Sequence, residues 1–192
     1  MKELLGYKVG MTQMWDDKGR LQGVTLIHAD DNSIVRLKDI NFLAQAKIGK
    51  GNKPLQGVAK KIGLKGQNFW FKKTLADKEG KVGVADFKPG DVVSVTGRTK
   101  GKGFAGTIKR HGFHRGPVSH GSGNIRQPGS IGAQRPQRVI KGKKMAGHMG
   151  NQQFTVRGLE VLGVFPQEKL LALKGAVPGN RRAGVIVKEI NA

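Results

Sequence analysis

Apolar positions along the chain fall in short runs, alternating with polar residues or clustered as β-branched side chains, and no segment sustains a helical period. The runs "YKVGMTQMW" and "RLQGVTLIHA" flank the turn cluster "DDKG" that ends at Gly19, which predicts a hairpin. After a turn at 30–32, "SIVRLK" predicts a third strand through Ile34, Val35 and Leu37. Residues 39–81 carry a weaker pattern. Residues 40–48 fit one short helix, and "NFWFKK" fits a strand whose Phe69, Trp70 and Phe71 either pack in a sheet or form a stacking platform for bases. "KPGDVVSVTG" predicts a Pro-Gly turn and a strand with Val92, Val93 and Val95. The runs "QFTVRGLEVLGVF", "KLLALKGAVPG" and "AGVIVKEI" predict three more. Short strands at this spacing indicate a mainly β fold, a small barrel or sandwich.

The two strand-rich flanks are each too small to bury a core alone. Residues 1–98 and 152–192 are therefore expected to close one discontinuous β-barrel domain, into which residues 99–151 are inserted. That insertion has about one Gly in every four residues, together with Pro117, Pro128 and Pro136. It has too few apolar side chains to offset its own ordering entropy, so a partner is expected to order it. Loops of this length inside a compact domain are usually functional.

Charge says what kind of partner. The 192 residues carry 35 Lys and Arg against 13 Asp and Glu, a formal net charge of +22. No acid occurs from Val92 to Leu159, so every carboxylate lies in the flanks. Such a balance is the footprint of a polyanion binder. The hydrophobic fraction of 37% lies below the ~45–50% of ordinary domains and agrees with a small core. No apolar run is long enough for a bilayer, the amino terminus lacks the apolar core of a signal peptide, and there is no Cys for disulfides or thiolate metal sites. A soluble, intracellular protein is expected.

Three chemistries compete for the insertion. Gly101, Gly103 and Gly106 match G-x-G-x-x-G, but Gly112 interrupts any following helix within two turns and no acid appears before Glu160 to hold a ribose. No Walker A motif is present. His111 and His114 stand three apart, which suits a shared metal or a two-histidine acid–base nuclease, yet no carboxylate is nearby to orient an imidazole. The third reading uses every feature. Lys100, Lys102, Lys109, Arg110, Arg115, Arg126, Arg135, Arg138, Lys141, Lys143 and Lys144 are spaced to neutralise phosphates along a glycine-rich backbone. Phe104, His111, Phe113, His114, His120 and His148 supply rings for unpaired bases, a mode suited to folded RNA. A ribosomal structural protein, a free RNA chaperone or DNA-compacting protein, and a histidine nuclease remain as competing classes.

The segments "GYKVGMTQMW", "TKGKGFAGTIKRHGF", "GPVSHGS", "PGSIG", "KGKKMAGHMGN" and "LLALKGAVPG" resemble, in order, the signatures of the family of the third large-subunit ribosomal protein, in its bacterial form. The resemblance covers nearly the whole chain. It is weakest over 39–85, which is abbreviated, and departs at Ile125, where members often carry histidine. It implies a six-stranded, translation-factor-like β-barrel with a long irregular basic extension that runs into the large-subunit RNA towards the peptidyl transferase centre. It also implies no enzymatic activity, early binding during assembly, contact with the 3′-terminal RNA domain, and the fourteenth and nineteenth large-subunit proteins as neighbours. Gly132 to Arg138 maps to the tip of the extension, with Gln134 nearest to a glutamine methylated in some relatives. No cofactor is expected; Mg2+ would enter only as an ion associated with the RNA.

Overall fold

The computed structural model describes residues 2–16, 18–30, 32–37, 40–46, 57, 69–74 and 80–190. The fold is mainly β. Its first two strands, β1 (Glu3–Trp15) and β2 (Leu21–His28), form the expected hairpin, closed by Trp15 opposite Leu21. Asp16 makes the turn: its Oδ1 accepts the amides of Lys18 at 3.0 Å and Arg20 at 2.8 Å, and Gly19 takes a positive φ of 69°. The Arg20 amide, with the Gln22 and Arg20 side chains adding to it, holds the Asp16 carboxyl below the usual carboxylate range.

Four further strands complete a ring: β7 (Val92–Arg98), β10 (Gln153–Phe165), β11 (Leu170–Lys174) and β12 (Gly184–Glu189). Hydrogen bonding runs β1-β12-β7-β10-β11-β2 and returns to β1, so the sheet closes on itself. β1 and β10 have 13 residues each, and their register slips at Lys8/Gly10, Val156/Leu159 and Val161/Gly163. Such bulges bend a strand and let it turn a barrel corner.

The two-residue period of the strands explains the core. Leu4, Ile27, Val93, Val95, Leu159, Val161, Leu171, Leu173, Val185 and Val187 are buried together in one cluster, with Phe87 beside them. In a barrel this narrow, side chains fill the interior, and these residues supply them. Leu5 and Ile186, opposite each other across β1 and β12, have the other parity and form a second cluster with Leu43 and Ile34.

That second cluster joins the barrel to a separate sheet. β3 (Asn32–Leu37), β4 (Ile40–Ala46), β5 (Phe69–Lys73) and β6 (Gly80–Val82) pair in the order β5-β4-β3-β6. The expected strand at "SIVRLK" forms, and it pairs outside the barrel. One expectation is corrected. Residues 40–46 form a strand rather than a helix, because β3 and β5 hydrogen-bond to it on both sides. The "NFWFKK" strand exists as β5, whereas the side chains of Phe69, Trp70 and Phe71 lie outside the described residues. Among the described residues no helix is long and apolar enough to cross a membrane.

By its own contacts the chain divides into Met1–Thr99 with Gln153–Ala192, and Lys100–Gln152. The second unit, called the arm below, holds two short strands, β8 (Phe104–Ala105) and β9 (Gly147–His148), and one helix, α1 (Thr107–His111).

Candidate nucleic-acid interface

The arm is built almost without a core. Ala105 and Thr107 are its only buried residues, and residues 126–146 are exposed without a break. It takes its shape from backbone hydrogen bonds instead. At its base β8 pairs with β9, and the ladder continues through Lys102 N–H to the Met149 carbonyl and Met149 N–H to that of Gly103, each at 2.9 Å. Here the two chain segments approach so closely that a Cβ on Gly150, whose φ is +74°, would lie 2.1 Å from the Lys100 carbonyl oxygen. Only glycine fits that position.

α1 opens directly behind Gly106 and stops at Gly112, which takes the left-handed conformation (φ 72°, ψ 29°) and donates its N–H to the Ile108 carbonyl. The glycine expected to interrupt a helix therefore caps one of five residues. Helix α1 aims two of the candidate side chains at the returning chain. Arg110 Nη1 donates to the Met145 carbonyl at 2.8 Å, and His111 Nε2 meets the same oxygen at 3.0 Å. Since a carbonyl only accepts, His111 must carry its proton on Nε2.

Beyond this clamp the chain forms three turns. Gly116 N–H reaches the Ile125 carbonyl at 3.0 Å and closes a loop that contains His120. Gln137 N–H donates to the Gln134 carbonyl at 3.1 Å around a cis Arg135–Pro136 peptide. Lys143 N–H donates to the Ile140 carbonyl at 3.2 Å. The segment assigned to the tip, Gly132 to Arg138, thus contains a tight turn that presents Gln134, Arg135 and Arg138 to solvent.

The candidate residues sort into two groups. Lys100, Lys102, Phe104, Lys109, His114, Arg115, His120, Arg126, Gln134, Arg135, Arg138, Lys141, Lys143, Lys144 and His148 are exposed. Arg110, His111 and Phe113 are half-buried, and the His111 and Phe113 rings lie 6.2 Å apart. Phe104 packs edge-on to His148 at 6.0 Å yet keeps 72% of its surface open. Arg110 and His111, read from sequence as phosphate and base contacts, also hold the arm's own fold. No cluster of three or more His, Cys, Asp or Glu suited to a metal occurs among the described residues.

Electrostatically the arm is one-signed. Eleven Lys and Arg stand in 53 residues without an acid, and every ion pair among the described residues lies in the other unit. Like charges held this close repel one another, so the shape is favoured when anions fill the gaps. The sequence pattern missed the aliphatic component. Val118, Ile131 and Ile140 are 69%, 45% and 61% exposed, apolar surface that a partner would cover. Their signal was available: aliphatic residues in a stretch that offers no second apolar face.

Fold and arm together define a β-barrel protein carrying an acid-free basic insertion. The model of the ribosomal protein L3 family matches residues 29–169. The chain is 41% identical to the large ribosomal subunit protein uL3 of Streptococcus mutans, over 97% of this chain and 96% of that one. It is 42% identical to the proteins of the same name from Carboxydothermus hydrogenoformans, covering 98% and 97% of the two chains, and Desulforudis audaxviator, covering 97% and 94%. The chain belongs to the ribosomal protein L3 family.

Proposed function

We propose that the protein is a structural constituent of the large ribosomal subunit in the cytoplasm. In this reading, residues 1–98 and 152–192 anchor the chain through a barrel of the translation-factor type, and residues 99–151 thread between segments of large-subunit RNA. The observation that carries it is the uninterrupted exposure of residues 126–146 in an arm with eleven cations and no acid. A peptide of that kind gains little from folding by itself and much from cancelling repulsion where phosphates crowd. It takes part in early assembly and supports the surroundings of the peptidyl transferase centre. The fourteenth and nineteenth large-subunit proteins are its neighbours, and no cofactor is needed beyond Mg2+ carried by the RNA.

Salt titration tests the contact. Each phosphate contact contributes about 0.7–0.9 to the slope of log affinity against log salt. Replacing Lys141, Lys143 and Lys144 with Gln should lower the slope for large-subunit RNA by about 2 to 3. An unchanged slope would place these lysines in solvent.

The scaffold role needs no turnover. The double change His111→Ala with His114→Ala should weaken RNA affinity, because His111 holds the Met145 carbonyl, and should remove no chemistry. RNA cleavage by the purified protein that this pair abolishes would favour the nuclease reading.

A further inference from the structure

The flanks outside the arm carry 24 Lys and Arg against 13 acids, so half of the net positive charge lies on the barrel unit. Part of it converges. A cavity of about 900 Å3 in that unit is lined by Tyr7, Lys8, His28, Asp30, Arg181 and Arg182, among others. Arg181 and Arg182 sit on the connection from β11 to β12, which main-chain bonds pin to β1. Arg182 N–H donates to the Lys8 carbonyl at 2.7 Å, and Lys8 N–H donates to that of Ala183 at 3.0 Å.

We propose that this cavity is a second RNA site, in which Arg181 and Arg182 grip a backbone phosphate of the large-subunit RNA. The inference rests on the ribosomal reading above. Arg181 Nε donates to the Val9 carbonyl at 3.1 Å, which fixes the guanidinium plane and leaves the Nη pair as a fork suited to a phosphate. Among the described residues neither arginine forms an ion pair with a carboxylate. The cavity's acid, Asp30, is held by Lys169 Nζ at 3.1 Å. Lys8 Nζ is fixed on the Val177 carbonyl at 2.7 Å and adds a third positive charge to the wall. Burial, with the charge of Asp30 adding to it, raises the Tyr7 phenol above its ordinary range, so it stays neutral beside an anion. Arginine's bidentate fork fits carboxylate and phosphate alike; the ribosomal reading, which sets large-subunit RNA against this chain, favours a backbone phosphate over an acidic peptide.

The test is salt-dependent binding of the full chain to large-subunit RNA, comparing wild type with Arg181→Gln/Arg182→Gln. Loss of one phosphate contact should lower the slope by about 0.7–0.9, so the affinity deficit should grow about 5- to 8-fold between 1 M and 0.1 M salt. An unchanged slope in a variant that still unfolds cooperatively would overturn the site. So would GMP binding to the wild type that the double change abolishes while the RNA slope stays the same, since that marks a site for free nucleotides. Ultraviolet crosslinking of the wild type to the RNA covers a variant that fails to fold: crosslinks on residues 175–183 support the site, and their absence or crosslinks to a protein there overturn it. A wild type without salt-dependent RNA binding would instead remove the ribosomal reading on which the site depends.

Discussion

Replacing residues 101–150 with a short Gly-Ser linker should leave a protein that still unfolds cooperatively but no longer supports normal assembly of the large subunit. Both apolar clusters consist of residues outside the arm, so the replacement removes almost no buried apolar surface from the barrel. The geometry of the junction also permits it. Gln153 pairs with Arg98 at the last register position of β7 and β10, and residues opposite each other in such a ladder are about 4.5–5.5 Å apart. A few flexible residues span that gap without strain. Calorimetry on the shortened chain should give a single transition. A soluble chain with no cooperative transition would refute the discontinuous barrel, and a folded one that builds fully active subunits would refute the role of the arm.

The second large effect falls on the barrel. Leu171→Ala should cost about 2–5 kcal/mol of stability, the range for emptying a large buried aliphatic site. Leu171 is fully buried within the central cluster, between Val164 on β10 and Ile27 on β2. Neighbouring strands fix the backbone on both sides, so the walls cannot collapse into the void. Below the lowered melting temperature, RNA affinity should stay within about twofold of wild type, because Leu171 lies neither in the arm nor in the wall of the Arg181 cavity. Denaturant unfolding and filter binding on the same preparation check both halves. A loss of affinity in fully folded protein would show that the packing of the barrel core is coupled to an RNA contact, which this account does not include.

The barrel strands were legible because their inward residues repeat every second position. Val93 and Val95, and Val185 and Val187, announce both a strand and the face it buries. The same pattern in Ile34, Val35 and Leu37 announces a strand but not its sheet, since alternation carries no information about partners. Residues 40–46, "INFLAQA", contain Leu, Ala and Gln, which favour helices. Pairing with β3 and β5 decided the outcome, and no single-segment signal could show it. α1 escaped notice because five residues form too short a period to detect. It is held by the Gly112 cap and by Arg110 and His111 on a carbonyl 34 or 35 residues away.

In the arm the absence of acids marked the region, and the exposed cations stand where a polyanion can reach them. What the sequence could not separate was contact from support. Arg110 and Arg115 look alike in a list of basic residues, yet Arg110 is turned onto the chain's own backbone and Arg115 is open to solvent. A backbone carbonyl leaves no trace in residue identity, so a side chain bound to one is invisible until the fold is known. Arg181 and Arg182 were missed for a related reason: they stand outside the acid-free segment, and only the closure of the barrel brings them beside Lys8 and Tyr7.

Quantitative mass spectrometry of large subunits washed in high salt tests the ribosomal role most directly. The washed subunits should retain one copy of this chain for each copy of the other core proteins, because an arm threaded through folded RNA is held by shape as well as by charge. A chain lost in the wash, or present well below one copy per subunit, would contradict a structural role and leave a free RNA- or DNA-binding protein in its place.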